Sequence, residues 1–212
     1  MKTLRIEGSL LSTYTLNEYP SISFVHLDGY QCIPSLKGSD LPPNLIKLFV
    51  GNFFNKPVDL LQCHALEEVS FGDSFNRPVC FLPFGNLLHL SFGDDFNCNV
   101  NVLPPTITHL NFGSRFNLNV DNLPPSLTHL TFGKRFSKPV DSLPASLKHL
   151  AFGHNFCLSV DKLPGGLISL KFGKYFNLSV NNLPETLELL SFGEHFNQSV
   201  NHLPLSLRYV KV

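Results

Sequence analysis

A twenty-residue word returns throughout this chain, and that periodicity narrows its possible folds more than any other feature. Phe-Gly begins at Phe71, Phe92, Phe112, Phe132, Phe152, Phe172 and Phe192, one step of twenty-one residues followed by five of twenty. Leu-Pro keeps the same beat at Pro83, Pro104, Pro124, Pro144, Pro164, Pro184 and Pro204. The unit reads x-F-G-x-x-F-N-x-x-V-x-x-L-P-x-x-L-x-x-L. "LIKLFVGNFFNKPV" is a degenerate earlier copy, with Leu48 and Val50 where Leu130 and Phe132 stand later. "FVHLDG" and "TLRIEG" are weaker copies, with Leu27 and Ile6 in the Phe132 position. A fixed period of this length is the signature of stacked coils, each touching only its neighbours.

The chemistry of the unit shapes the coil. A proline in every copy forbids a continuous helix and favours an extended or turn-like return. "HLTF" alternates polar and apolar residues, as a short half-buried strand does. Gly133 and its equivalents are expected to permit the sharp turn that leaves the strand. One strand per coil, stacked in register, makes a parallel sheet, and eleven strand segments run from "LRI" to "YVKV". Phe132, Phe136, Val140, Leu143, Leu147 and Leu150 are expected to point inward, one set per coil. A lone coil cannot offset the entropy of ordering its backbone, so its neighbours must cover it. Asn55, Asn76, Asn97, Asn117, Asn177 and Asn197 form a further column, with Ser137 and Cys157 as replacements. A buried Asn there would satisfy backbone groups at a turn and in the next coil. Two glycosylation sequons, Asn177-Leu-Ser179 and Asn197-Gln-Ser199, fall in this column, which favours the structural reading of both.

The spacing and these motifs resemble the FNIP repeat, a relative of leucine-rich repeats found in social amoebae and in giant DNA viruses that infect amoebae. Seven units carry both Phe-Gly and Leu-Pro, and five of them carry Phe-Asn. The match is regular over residues 41–212 and loose over 1–40, and the spacing is closer to the viral form. Leu127, Leu130, Phe132 and the Asn column also fit the "LxxLxLxxN" pattern of short leucine-rich repeats. The resemblance implies a curved right-handed solenoid, mostly β, of about eleven coils of roughly 20–22 residues. Short parallel strands would line its concave face, with extended and turn segments on the convex side. Residues 1–212 then form one repeat domain: degenerate N-terminal coils over 1–40, regular repeats over 41–204 and a terminal edge strand over 205–212. Many viral relatives begin with an F-box. The strand-like first forty residues leave no room for one, so a link to ubiquitin ligases through that module is not expected.

If Leu130 and Phe132 point in, His129 and Thr131 point out. One outward column runs Lys47, Glu68, His89, His109, His129, His149, Ser169, Leu189, Tyr209; its neighbour includes Ser91, Asn111, Thr131, Ala151, Lys171 and Ser191. His89, His109, His129, His149, Asn111, Thr131 and Lys171 are therefore the candidate partner-binding residues. A row of His could instead be a copied surface residue, or a metal- or proton-responsive stripe. In-register side chains about 4.8 Å apart make a straight row, whereas zinc needs convergent ligands, so no metal site is assigned. Adjacent imidazolium charges repel, so the row should resist full protonation. After each Gly come two exposed positions, and their charge changes from acidic to basic along the rim. Asp94, Asp95, Arg115, Lys134 and Arg135 carry that change, which is either an ordinary solvated edge or a polarised rim that orients a bound protein.

The remaining signals exclude function classes. Sixteen basic and sixteen acidic residues cancel, against a nucleic-acid footprint. "MKTLRIEGSLLSTYTL" carries Arg5 and Glu7 where a secretory signal would be apolar, and no run is long enough to span a bilayer. The five cysteines, Cys32, Cys63, Cys80, Cys98 and Cys157, make no CxxC pair, which fits a reducing cytoplasm, the host's if the protein is viral. There is no GxSxG, P-loop or HExxH, and Cys157 near His154 occupies the Asn column, so no catalytic residue and no cofactor is assigned. The expectation is a non-enzymatic scaffold that binds an unidentified protein, such as a host protein, on its concave sheet, with neither nucleic acid nor membrane as partner. The competing expectation is self-assembly, in its simplest form a homodimer, through residues 205–212, where Arg208 and Lys211 are the gatekeepers of an exposed edge.

Overall fold

The computed structural model describes residues 2–7, 16–28 and 35–212; Cys32 lies outside the described residues. Strands β1 (Thr3–Glu7), β2 (Phe24–Asp28), β4 (Lys47–Val50) and β6 (Glu68–Phe71) open one parallel sheet. It continues through β7 (His89–Ser91), β8 (His109–Asn111), β9 (His129–Thr131) and β10 (His149–Ala151). β11 (Ser169–Lys171), β12 (Leu189–Ser191) and β13 (Tyr209–Lys211) complete its eleven strands. Chain order is spatial order throughout, as stacked coils require. The degenerate coils keep register: Ile6 pairs with Leu27, Leu27 with Val50, and Val50 with Phe71.

Two features of the early coils have no counterpart in the repeat. Single turns of 3-10 helix occur at Leu16–Glu18 and Gly38–Asp40, and a second, two-stranded sheet pairs β3 (Leu36–Lys37) with β5 (Val58–Asp59). Both sit where the coil step is irregular.

The inward columns form one continuous core. Phe132, Phe136, Val140, Leu143, Leu147 and Leu150 are all buried, as are their equivalents in the coils from Phe71 to Phe196, whereas Val200, Val210 and Val212 in the last coil are exposed. Within a coil the two Phe rings lie face to face, 3.6 Å between centroids for Phe132 and Phe136. Between coils each ring stacks in parallel on its equivalent, which hides ring faces that would otherwise meet water.

The ring spacings also measure curvature. Equivalent side chains repeat almost by translation, so the distance between their centroids is the local distance between coils. That distance is 4.0–4.3 Å along the outward His column. It is 5.7–5.9 Å at the first Phe column from Phe92 to Phe172 and 6.1–6.2 Å at the second from Phe96 to Phe176. Hydrogen bonding holds the strands themselves about 4.8 Å apart. The coils therefore fan open away from the sheet, and the sheet lies on the inside of the bend. Thick aromatic ladders on one side and small or planar side chains on the other force this sense of curvature.

The glycine column has a different cause from the one expected. None of these glycines sits at a positive φ, so the turn itself does not demand glycine. A Cβ on Gly133 would lie 1.9 Å from the Gly113 carbonyl oxygen, and one on Gly153 equally close to that of Gly133. On the inside of the bend the backbones approach until no side chain fits between them.

Candidate functional site

β7 to β10 set His89, His109, His129 and His149 opposite one another. Their half-buried rings form a stack with centroid steps of 4.3, 4.0 and 4.3 Å. Two threonines unforeseen from the sequence hold the inner rings. Thr108 Oγ1 lies 2.9 Å from His109 Nδ1 and donates to the Leu88 carbonyl; Thr128 Oγ1 lies 2.9 Å from His129 Nδ1 and donates to the Thr108 carbonyl. Each hydroxyl thus bridges its own His ring and the preceding coil, and it can do so with either neutral imidazole tautomer, as acceptor from Nδ1–H or, with its hydrogen turned, as donor to Nδ1. The recurrent "THL" at 108–110 and 128–130 is the sequence signal that marks them.

Partial burial lowers the proton affinity of His109 and His129 below the ordinary value, and the charge of neighbouring imidazoles lowers it further. Desolvation is thus the larger cause, ahead of the charge repulsion expected from the spacing of the row. Among the described residues no three His, Cys, Asp or Glu side chains converge as a metal-binding group. The stacked rings lie side by side and do not surround a point.

The row is bounded by charge at one end and apolar surface at the other. Glu68 pairs in register with His89 and holds an ion pair to Lys47. Ser169 follows His149, then come the exposed Leu189 and Tyr209. In the adjacent column Asn111, Thr131 and Lys171 are exposed, and Asn111 Nδ2 donates to Ser91 Oγ. At the far N-terminal end His26 packs edge-on against Phe49, with Nε2 2.8 Å from Asp28 Oδ1. The structure thus gathers the predicted face residues on one surface.

Among the described rim residues, Asp94, Asp95 and Arg115 are engaged, whereas Lys134 and Arg135 are not. Asp94 Oδ1 accepts from both the backbone N–H and the hydroxyl of Ser114, which holds its carboxyl below the usual range. Asp95 forms an ion pair with Arg115 at 3.0 Å. Lys134 and Arg135, both exposed, have no ion pair among the described residues. Between the rim and the outer strand column runs a groove of about 650 Å³, floored by Gly133, Gly153, Gly173 and Gly193.

The Asn ladder corrects one expectation and bears out another. Its side chains are half-buried or exposed, including Asn55, Asn76, Asn97, Asn117, Asn177 and Asn197, because the column lies at the coil's corner and not in its core. Cys157 in the same column is also only half-buried. The hydrogen bonds to the next coil do form. Asn55, Asn76, Asn97 and Asn177 accept from the backbone N–H of Asn76, Asn97, Asn117 and Asn197, and Asn117 accepts from that of Ser137, all at 2.9–3.0 Å.

The FNIP Repeat family profile matches residues 79–115, 99–135, 116–155 and 154–195, more than half of the chain. This chain belongs to the FNIP repeat family. Among solved structures it is similar to CroV588, a giant-virus protein described as a novel circular LRR protein, with 36% sequence identity and a TM-score of 0.81. The likeness covers 91% of this chain and 30% of that one, so the chain spans less than a third of that relative's length. No curated protein sequence matches it. The FNIP repeats that match lie over the coils carrying most of the His row, and the leucine-rich likeness extends to the early coils.

Proposed function

We propose that this FNIP repeat protein is a non-enzymatic interaction scaffold whose concave sheet face holds another protein. The observation that carries this reading is the contrast across a single strand: at β9, Leu130 is buried in a column of like residues, while His129 and Thr131 face outward with no structural duty to the core. The interior repeats from end to end because stacking demands it, whereas the outer column changes along the sheet, from Lys47 and Glu68 through four His to Ser169, Leu189 and Tyr209. An eleven-stranded surface with its backbone already paired offers a rigid platform, so a partner loses little to ordering on binding. A reducing cytoplasm suits free Cys63, Cys80, Cys98 and Cys157.

The test is capture of partners from amoebal cytosol by the wild-type chain and by a His109→Glu, His129→Glu variant, both shown folded by circular dichroism. A protein retained by the first and lost by the second supports the concave face. Equal retention by both overturns it.

A second reading has its own observation. The last coil exposes Leu205, Tyr209, Val210 and Val212, the inward positions of Val210 and Val212 included. A second copy could continue the parallel ladder beside β13, and because the coils fan, repeated addition would trace an arc. Light scattering over a concentration series checks this: growth of mass supports it, and a constant monomer mass overturns it.

A further inference from the structure

The glycine-floored groove is lined by four lysines against one acidic side chain. On its rim wall the position after each glycine is Lys134, His154, Lys174 and Glu194, while Asp73 and Asp94 lie on the rim of earlier coils, outside the groove. The opposite wall carries Lys171 and Lys211. Asp94 already has its two hydrogen bonds from Ser114, and Lys174 is paired with Glu194 at 2.8 Å. Lys134, Lys171 and Lys211 are exposed and form no ion pair among the described residues. The groove therefore has a built shape, a bare backbone floor and unanswered positive charge spread from its first coil to its last.

We infer that this groove takes an extended acidic segment of a protein partner, with carboxylates set over Lys134, Lys171 and Lys211. The inference rests on the concave-face reading and adds the chemistry of the partner. Lys171 and Lys211 are two coils apart, roughly 9.6 Å at sheet spacing. A polyproline-II chain brings every third residue to the same face at about 9.3 Å. Acidic residues at every third position of such a segment match that step, and the segment's low conformational freedom reduces the ordering cost. A nucleic acid fits less well. Its uniform negative charge would meet Glu194 within the lining and Asp94 and Asp95 on the rim beyond the groove's N-terminal end, whereas a peptide can change sign along its length.

The test uses a fluorescent peptide of repeated Glu-Pro-Pro triplets, read by anisotropy on the full chain. A peptide of the same composition with its Glu residues in one block and a single-stranded oligouridylate of equal length serve as comparisons. The triplet peptide should bind more tightly than either, with affinity falling as salt is raised. The combined Lys171→Glu and Lys211→Glu variant should weaken it by about tenfold or more. Lys162→Glu, an exposed lysine outside the groove lining, should not. Undetectable binding, or binding unmoved by the groove reversals, overturns the assignment. So does oligouridylate binding as tight as the peptide's, and equal binding of the block peptide overturns the every-third-residue register. If the peptide fails while a cytosolic partner is still lost from the His109→Glu, His129→Glu variant, the groove assignment falls and the concave-face reading stands.

Discussion

The coils from Phe71 onward and the coils before it reach the same sheet by different means. After Phe71 both ring columns are Phe, the step settles to twenty residues and each ring has a face-to-face partner within its coil. Before it, Ile6, Leu27 and Val50 occupy the first column, and Phe54 stacks only on Phe75 of the next coil. Those early coils compensate with irregular additions: two 3-10 turns and the β3–β5 ladder. The comparison teaches that strand register tolerates loss of the aromatic pair, whereas close approach at the glycine column grows as the repeat becomes regular. A Cβ on Gly51 would sit 2.6 Å from the Leu27 carbonyl oxygen, against 1.9 Å from its neighbour's at Gly133.

That difference predicts the largest effect. Gly133→Ala forces backbone apart and should cost about 3 kcal/mol or more in urea unfolding. Gly51→Ala should cost less, and Gly165→Ala, with nothing within 4 Å of its Cβ, should be close to neutral. Equal losses at Gly51 and Gly133 would break the comparison. Of similar size, Phe136→Ala should cost about 3–5 kcal/mol. Phe54→Ala should cost less by about 0.5–1.5 kcal/mol, the worth of one aromatic pair. Smaller again, Asn117→Ala removes the acceptor of the Ser137 N–H and should lower stability by about 1 kcal/mol, because the site is only half-buried. An unchanged thermal midpoint would show that water replaces the bond at no cost.

The smallest effect is in pH. His109 and His129 bind protons less readily when folded than when unfolded, so their contribution is full above the ordinary value of 6.5. It falls as pH drops below 6.5 toward the lowered folded values. Thermal stability should therefore decline as acidity rises through that window, and His109→Gln with His129→Gln should flatten the decline. A partner held on this row should weaken over the same window, and binding that stays flat would separate the row from recognition.

Much of the architecture was legible because translation along a stack turns sequence period into spatial neighbours. Leu130 marks its column, and its equivalents Leu150, Leu170 and Leu190 are buried beside it, while Val210 in the last coil is exposed. The candidate face was legible for the same reason, since strand alternation alone sends His129 and Thr131 outward. The Thr108 and Thr128 hydroxyls were missed because they act one position before the strand, where alternation is silent. The Asn column was placed too deep because a hydrogen-bonding duty to the next coil says nothing about access to water. The irregular turns at Leu16–Glu18 and Gly38–Asp40 were missed because they break the period that made the rest readable.

The sequence by itself determined the coil length, the inward columns, the eleven strands and which residues share a face, since each follows from period and alternation within one unit. Only the tertiary structure decided the bend, the reason for the glycines and the groove they floor. These depend on how far apart neighbouring coils lie at each depth. That distance is set jointly by ring thickness below the sheet and backbone contact above it, and no single coil contains both sides of the contact.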